Sequence, residues 1–548
     1  MHILYCQFTS TEYIDRMWIE SSCHREEAEG RRGDPVKSTA RTGLPRPFGP
    51  RNDVGQRPVN KMISWLFIIL AALALRIPSF YIPILNVDEA MQALFSQTWL
   101  AGGIPYQQVV ETKPLFLYAW QAVIFKLFGA YNMIAVHAAT AVWVIATAWV
   151  LYRIARTLHS EKAGLTAAFF YVVFTTTYIP KFIATSFELI FALPLALNVY
   201  GLILYSRTLK GRYLFLSGFM LAIACLTKYQ AGINLIFSLG FLFWMALSHP
   251  RTLVRSCYFI FGLLCPVALM VGYLTRVGAL HDFYFWNFLG SAHYIQAGAS
   301  SLDFFGRLLV RGGTFILSTL LLWPLGLFQW KKQPWIFAWF FLSWIPVCTG
   351  GRFYDHYFLQ LLPPLCILAG LSAATLWPRF KKGMVAGVAV PALLFSLPRF
   401  FLPQLYPYLN DDNPDALRPA AAYVANHTEP KDSIFVWGFA PSLYFFAERP
   451  MGTRFYWSDV LVGRIPGTSW KPGQPVDTRA WETPGAWAMF YTDMEVNRPA
   501  YFIDTSPGNY HDYGAYPVEK YPELVAYLEK YYTFETELTG FRFYRRIR

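Results

Sequence analysis

Long apolar runs fill the chain between residues 63 and 402 and constrain its fold more than any other feature. A helix that crosses a membrane needs about 20 mostly apolar residues, and each of these runs approaches or exceeds that length. Hydrophobic residues make up 55% of the sequence and charged residues only 15%, so the pattern predicts an α-helical polytopic membrane protein. The eleven predicted transmembrane helices are residues 63–84, 132–153, 163–179, 187–206, 212–227, 229–248, 256–276, 308–329, 335–349, 356–377 and 383–402.

Basic residues predict the orientation of these helices, because cytoplasmic loops carry an excess of Lys and Arg. If the apolar segment 115–128 lies on the outer surface instead of spanning, five basic loops fall on one side, which is therefore cytoplasmic. The N-terminus is then cytoplasmic, and the chain after residue 402 is extracytoplasmic. The net charge of +13 follows from membrane topology, so we expect no nucleic-acid partner. The basic loops contain Arg153, Arg156, Lys162, Arg207, Lys210, Arg212, Arg251, Arg255, Lys331, Lys332, Arg379, Lys381 and Lys382.

Composition divides the chain into three regions. Residues 1–61 contain many arginines and no long apolar run, which predicts a disordered tail or an extension that a natural start at Met62 would remove. Residues 62–402 form the predicted transmembrane domain, with an outer loop at 85–131. Residues 403–548 predict an exported α/β domain, and the absence of cysteine after residue 366 argues against a disulfide framework there. Its predicted elements are helices 415–427 and 519–531 and strands 433–437, 500–504, 532–538 and 541–547.

Charged residues cluster in the first outer loop, NVDEAMQALFSQTWLAGGIPYQQVVETKPLFLY, directly after the first predicted helix. Asp88 and Glu89 form a carboxylate pair suited to taking a proton from an acceptor, to holding a metal ion, or to both. Lys113, followed by Pro114 and aromatic residues, suits a phosphate whose lipid tail lies in the bilayer. An ordinary polar loop with Asp88 as a helix N-cap explains the same residues about as well.

A further carboxylate, Glu188, lies on the same side, near the outer start of the fourth predicted helix. A carboxylate that enters an apolar helix is costly, so it suggests a site shared with Asp88 and Glu89. The alternative is an exposed glutamate at a helix start, where the helix dipole favours a negative charge.

Several cations also lie on the predicted outer side, against the usual bias, and they include Lys228. Arg352, in the segment GGRFYDHYFLQLLPP, offers a two-pronged donor that fits a phosphate, and His356 offers a second donor. A local salt bridge between Arg352 and Asp355 is the alternative explanation.

The order of these motifs resembles the GT-C membrane glycosyltransferases. The Asp-Glu pair, the ETKP element, the acid at Glu188 and the RFYDHYFLQLLPP turn occur in the order of that family, over about residues 63–402. The resemblance is to the bacterial branch akin to protein O-mannosyltransferases and to the transferases that add aminoarabinose to lipid A. The chain departs from many relatives at Leu115, where they have a second proline, and at Glu188, where they often have aspartate.

The resemblance implies transfer of a sugar from a polyprenyl-phosphate carrier to a protein, lipid or glycan acceptor, with inversion at the anomeric carbon. It also implies a location in the bacterial inner membrane, with the chemistry at the outer face. Asp88 is then the candidate base, while Glu89 and Glu188 orient the acceptor or, with Asp88, hold a divalent cation such as Mg²⁺ or Mn²⁺. The candidate donor-phosphate residues are Lys113, Lys228, Arg352 and His356.

The competing hypothesis is a lipid-linked sugar flippase or another polytopic transporter. Such proteins place charges deep within several helices or contain related halves and paired broken helices. Here the candidate charges cluster at one face, and no P-loop or GxGxxG motif for a soluble nucleotide donor occurs. The sequence therefore favours a transferase that takes its donor from the lipid.

Overall fold

The computed structural model describes residues 60–178, 182–289, 301–396, 414–464 and 477–547. Nearly all of the predicted tail at 1–61 lies outside the described residues, and so does the predicted domain boundary at 402–403. The division of the chain into domains therefore stays a prediction.

Helices make up most of the described chain before residue 397, as the apolar pattern predicted. They are α1 Lys61–Ala74, α2 Val87–Leu100, α3 Phe116–Phe128, α4 Met133–Leu158, α5 Glu161–Phe174, α6 Phe187–Thr208, α7 Gly211–Thr227, α8 Ile233–Ser248, α9 Arg251–Arg276, α10 Leu280–Tyr284, α11 Ser301–Arg307, α12 Gly313–Ser318, α13 Leu322–Leu327, α14 Pro334–Leu342, α15 Trp344–Cys348 and α16 Leu362–Pro391.

Polar caps fix where several of these helices begin. The side chain of an Asn or Ser accepts a hydrogen bond from a backbone N–H of the first turn, which would otherwise lack a partner. Such a cap fixes the first residue of the outer-loop helix α2, and four other helices begin in the same way. The capping residues are Asn60, Asn86, Asn132, Ser160 and Ser186.

Among the described residues, five helical stretches are long and apolar enough to cross a membrane. Three shorter apolar helices, α1, α3 and α7, accompany them. Together they account for most of the predicted runs, and the chain is a polytopic α-helical membrane protein. The five long stretches are Met133–Leu158, Phe187–Thr208, Tyr229–Ser248, Arg251–Arg276 and Asp355–Leu394.

Two predicted regions differ from continuous spans. The runs at 308–329 and 335–349 are divided into the short helices α12 to α15, with Gly and Pro residues at or near the breaks. Helix α16 contains most of the described residues of the runs at 356–377 and 383–402, and within it two helices meet at the non-helical residue Phe380 (φ −123°, ψ 24°), two residues after Pro378. Proline has no N–H for the helical ladder and favours this break, which falls between the two predicted runs.

Helix α3 is the segment 115–128 that the charge pattern predicted to lie on the outer surface. Its 13 residues extend for about 20 Å, less than the roughly 30 Å hydrocarbon core of a bilayer. Val123, Leu127 and Phe128 are exposed, which suits contact with lipid at an interface. Helices α1 and α5 have 14 residues each, so length alone does not separate α3 from the predicted spans, and both its surface location and the sidedness of the protein stay predictions.

The last part of the described chain contains a small α/β region, as predicted. Its four strands are β1 Ile434–Trp437, β2 Tyr501–Asp504, β3 Tyr532–Leu538 and β4 Phe541–Arg546, in the sheet order β1-β2-β4-β3. Strands β1 and β2 are parallel, while β4 is antiparallel to both β2 and β3. The helices are α17 Pro414–His427, α18 Pro441–Ala447, α19 Asp459–Val462, α20 Ala486–Asn497 and α21 Pro522–Tyr531.

The core of this α/β region is continuous with the outer loop. One hydrophobic cluster contains Phe95 and Tyr118 of α2 and α3 together with Trp437 and Tyr456. Helix α18 also packs against α2. The charged residues of the outer loop therefore lie against the C-terminal region.

Candidate active site

Asp88 lies in the first turn of α2 and is half-buried. The N-cap is Asn86, not Asp88: its side chain accepts a hydrogen bond from the Asp88 backbone N–H (3.2 Å) and donates one to Asp88 Oδ2 (3.3 Å). The positive end of the helix dipole favours a negative charge at this position. Asp88 is thus an oriented carboxylate with a partly accessible surface.

Glu89, the next residue of α2, is fully buried. Its Oε2 accepts a hydrogen bond from the Leu85 backbone N–H (2.8 Å). Its Oε1 accepts from the Thr185 backbone N–H (2.6 Å) and contacts His137 Nε2 (2.9 Å). These bonds tie α2 to α4 and to the segment before α6, so they engage the carboxylate that the sequence suggested for acceptor or metal binding.

The ETKP element folds around the carboxylate of Glu111, which is 2% exposed. Glu111 Oε1 accepts from the Thr112 backbone N–H (2.7 Å) and from Lys113 Nζ (3.1 Å), and Oε2 accepts from the Tyr456 hydroxyl (2.6 Å). Burial alone would raise the pKa of Glu111, but the Lys113 charge and the Tyr456 hydrogen bond outweigh it and lower the pKa. Glu111 is therefore an ionised partner for Lys113.

Lys113 retains a partly exposed side chain, and its Nζ lies 5.0 Å from the centre of the Phe187 ring. Burial alone would lower the pKa of Lys113, but the carboxylates of Glu111 and Asp88 outweigh it and raise the pKa. Glu188 also acts electrostatically on this ammonium group. The lysine stays charged and lies within the field of three carboxylates.

Glu188 and Lys228 form a buried ion pair, with Lys228 Nζ 2.5 Å from Glu188 Oε1. Glu188 is in the first turn of α6, after the N-cap Ser186, and Lys228 directly follows α7. Lys113 and Asp88 both act electrostatically on Lys228. The structure therefore brings four predicted residues into one electrostatic cluster, which we call the charge cluster: Asp88, Lys113, Glu188 and Lys228.

The RFYDHY turn reaches the charge cluster through Tyr357, whose ring centre is 4.3 Å from Lys228 Nζ. The His356 and Tyr357 rings are in edge contact, with centres 4.9 Å apart. Arg352 is nearly fully buried in the same turn, and the next residue, Phe353, has a positive φ of 50°. A buried residue other than glycine in this conformation is strained, which is common at functional sites.

The predicted metal site is not reproduced. Within the described ranges, no group of three or more His, Cys, Asp and Glu side chains is placed to hold a metal ion. Asp88, Glu89 and Glu188 are all described, and both oxygens of Glu89 accept protein hydrogen bonds. The three carboxylates therefore do not fit a shared divalent cation, and dependence on such a cation stays a prediction.

Two buried polar side chains at the charge cluster have atoms without a hydrogen-bond partner in the described part of the chain. They are Gln92, one helical turn after Asp88, and the Oε2 atom of Glu188. Buried polar atoms normally have partners, so such atoms are suited to bind the hydroxyl groups of a ligand. Gln92 carries no signal in the sequence, because it does not differ in type from an ordinary helix residue.

Sequence reasoning also missed Tyr456, which lies 345 residues after its partner Glu111. The segment FYWSD carried an aromatic signal, but no local pattern indicated a carboxylate partner so distant in sequence. Glu111 itself was visible in the ETKP element, yet its role as the counter-ion of Lys113 depends on the fold.

Comparison with known proteins agrees with this fold. Residues 112–274 match the family model described as dolichyl-phosphate-mannose-protein mannosyltransferase. No curated protein matches the sequence. The structure of ArnT from Cupriavidus metallidurans in the apo state matches with a TM-score of 0.59 and 14% identity, over 88% of this chain and 98% of that one. ArnT from the same organism bound to undecaprenyl phosphate matches with a TM-score of 0.51 and 14% identity, over 87% and 97% of the two chains.

Proposed function

We propose, from its GT-C membrane glycosyltransferase fold and the mannosyltransferase likeness of residues 112–274, that this protein transfers a sugar from a polyprenyl-phosphate carrier to an acceptor. The observation that carries the proposal is the charge cluster, in which a half-buried carboxylate and two lysines converge from three separate segments. The acceptor is a hydroxyl group of a protein, a lipid or a glycan. Binding of undecaprenyl phosphate by a protein of the same fold supports a lipid-phosphate donor.

Asp88 is the proposed general base. It takes the proton of the acceptor hydroxyl as the oxygen attacks the anomeric carbon of the sugar. The bond from that carbon to the phosphate oxygen breaks on the opposite face, so the configuration inverts. A partly exposed carboxylate in the first turn of α2 is placed to accept a proton from a ligand, whereas the neighbouring Glu89 is enclosed by the protein.

The leaving lipid phosphate gains negative charge, which cations must stabilise. Lys113 is the proposed primary contact, since it is charged and partly exposed beside Glu111. Lys228 supplies a second positive charge, and Arg352 and His356 in the adjoining turn are proposed further donors to the phosphate. Glu188 fixes Lys228, and its second oxygen is free within the described residues to orient the acceptor or the sugar.

The reaction is proposed to occur at the outer face of a bacterial inner membrane, with a cytoplasmic N-terminus and an extracytoplasmic C-terminal domain. The donor then reaches the site by lateral diffusion within the lipid. The charge bias of the loops supports this orientation.

The deciding experiment is transfer from a synthetic polyprenyl-phosphate sugar by the purified protein in detergent, where no membrane separates two compartments. We expect turnover, which a flippase would not give. Asp88→Asn nearly preserves side-chain volume and removes the base, so the rate should fall by about 10²- to 10⁴-fold without loss of folded protein.

The matched control is Asp282→Asn. Asp282 is a half-buried carboxylate of the outer region that accepts a hydrogen bond from Gln107 Nε2 (2.7 Å). Its rate should stay within about twofold of the wild type. Near wild-type activity of Asp88→Asn would show that Asp88 is not the base. If the wild-type protein transfers no sugar from any donor tested, the transporter hypothesis would be favoured.

A further inference from the structure

Tyr456 of the C-terminal region binds the carboxylate of Glu111, which also binds Lys113. We propose that Tyr456 is a positioning residue that fixes Glu111 against Lys113, so that the site is incomplete without the C-terminal region. The inference rests on the proposed function, because it concerns the lysine that would contact the donor phosphate.

The central contact is a short hydrogen bond from the Tyr456 hydroxyl to Glu111 Oε2, 2.6 Å long. The other oxygen of the carboxylate, Oε1, accepts from Lys113 Nζ at 3.1 Å. Tyr456 and Glu111 are 1% and 2% exposed, so water does not compete for these bonds. The two oxygens of one carboxylate thus link a residue of the C-terminal region to the candidate phosphate-binding lysine.

The backbone holds the two segments in register. The Val110 backbone N–H donates to the carbonyl oxygen of Arg454 (3.1 Å). Val110 is one residue before Glu111, and Arg454 is two residues before Tyr456. Arg454 is itself anchored by three hydrogen bonds to the carboxylate of Asp493 in α20, two from its side chain (2.8 and 2.9 Å) and one from its backbone N–H (2.9 Å). The segment that contains Tyr456 is therefore itself anchored, and it holds the tyrosine against Glu111.

The segment Phe285–Leu289, which directly follows α10, also contacts this part of the structure. Asn287 Nδ2 donates to the carbonyl oxygen of Glu111 (3.4 Å), and the ring of Trp286 packs edge-on against Phe455 with centres 5.9 Å apart. Three stretches of the chain that are remote in sequence meet at Glu111. Such convergence is typical of a group whose position matters, although each contact is individually weak.

The physical role of Tyr456 follows from the two oxygens of the carboxylate. Because the hydroxyl occupies Oε2, Glu111 presents one oxygen to Lys113 and leaves the other ammonium hydrogens for a phosphate. Removal of the hydroxyl lets the carboxylate turn and bind the ammonium with both oxygens, which competes with the donor. It also removes a hydrogen bond that lowers the pKa of Glu111, so this pKa rises.

The test is Tyr456→Phe in the full-length protein, which deletes only the hydroxyl. We expect a several-fold weaker affinity for undecaprenyl phosphate and a several-fold higher KM for the sugar donor, with a smaller change in the KM for the acceptor. The acid limb of the pH–rate profile should move to higher pH, because Glu111 becomes protonated at a higher pH in the variant.

Tyr513→Phe is the matched control. The Tyr513 hydroxyl donates to Asp459 Oδ1 over 2.6 Å, and both residues lie in the C-terminal region. Tyr513 is fully buried, so the control deletes an equally short and enclosed tyrosine–carboxylate bond. It should lower thermal stability about as much as Tyr456→Phe while it leaves the donor KM and the acid limb unchanged.

The outcomes separate this inference from the proposed function. A wild-type protein that binds no undecaprenyl phosphate and transfers no sugar overturns both. A wild type that does both, with donor affinity and acid limb unchanged in a folded Tyr456→Phe protein, overturns the positioning role alone. Equal shifts in Tyr456→Phe and Tyr513→Phe would also overturn it, because they would trace the effect to general loosening of the C-terminal region.

Discussion

Adjacent carboxylates on α2 have different surroundings, and this difference assigns them different tasks. Asp88 is half-buried and bonded to the side chain of its own N-cap, whereas Glu89 is fully buried and accepts from two backbone N–H groups. A residue that must meet a substrate needs an accessible oxygen. The DE pair reads as one functional unit in the sequence, but only its first member has that access.

The first prediction is that Glu89→Gln destabilises the protein. An amide presents an NH₂ group where the carboxylate accepted hydrogen bonds from Leu85, Thr185 and His137, so at least one buried donor loses its partner. Loss of such a bond costs about 1–3 kcal/mol. Thermal unfolding in detergent should show a lower midpoint for Glu89→Gln and nearly the wild-type midpoint for Asp88→Asn.

The activity of the same two variants should show the reverse order. Corrected for the folded fraction, Glu89→Gln should transfer sugar faster than Asp88→Asn, whose rate should fall by about 10²- to 10⁴-fold. A Glu89→Gln protein that unfolds at the wild-type temperature but has lost all transfer would instead support the direct acceptor role suggested by the sequence.

Candidate site residues could be recognised in the sequence where a charged side chain lies beside an apolar run, because burying a charge in a membrane is costly. Lys113, Glu188 and Lys228 stood out because a charge beside an apolar run needs a partner. The partners themselves were not all visible: the Glu188–Lys228 pair joins residues 40 positions apart, and Tyr456 was indistinguishable from any core aromatic. Partner identity depends on tertiary packing, which a local pattern does not encode.

At the scale of helices, α7 and α9 approach each other closely at two glycines. A Cβ atom on Gly218 would lie 2.0 Å from the carbonyl oxygen of Phe259, and one on Gly262 would lie 2.2 Å from that of Phe215. Both obstacles are backbone atoms, so the helices themselves would have to separate. Small residues that let helix backbones meet in this way are a common basis of packing within membranes.

The second prediction is that Gly218→Ala and Gly262→Ala each destabilise the membrane region by forcing α7 and α9 apart. Helix α7 ends directly before Lys228, so donor use should fall as well. The control is Gly272→Ala in α9, where a Cβ atom meets nothing within 4 Å. Thermal midpoints in detergent should be lower for the first two variants only; three equal midpoints would contradict the close packing.

Helix and strand positions were largely predictable because the signals are local. The predicted strand 433–437 is observed as Ile434–Trp437, and the predicted helix 415–427 as Pro414–His427. Helices α18 and α20 were missed because their aromatic sequences lack a clear helical pattern. The break at Phe380, two residues after Pro378, falls in the interval between two predicted runs, because proline removes an N–H from the helical ladder.

At the scale of the whole molecule, the proposed function requires the charge cluster to lie on the outer side of the membrane. The charge cluster lies beside the C-terminal region, since Glu111 binds both Lys113 of the cluster and Tyr456. If the basic loops are cytoplasmic, this entire assembly faces outward. The positive-inside rule thus links the orientation of thirteen loop residues to the location of the chemistry.

The third prediction tests that link by cysteine accessibility in intact cells, in a background from which the native cysteines are removed. Lys210→Cys and Lys382→Cys should resist a membrane-impermeant maleimide until the cells are opened, because both positions are predicted to be cytoplasmic. Val496→Cys is the positive control, since this residue of α20 is 74% exposed and should react from outside. If positions 210 and 382 react from outside while 496 does not, the protein is inverted. The charge cluster would then face the cytoplasm, and a donor that is used at the outer face could not reach Lys113.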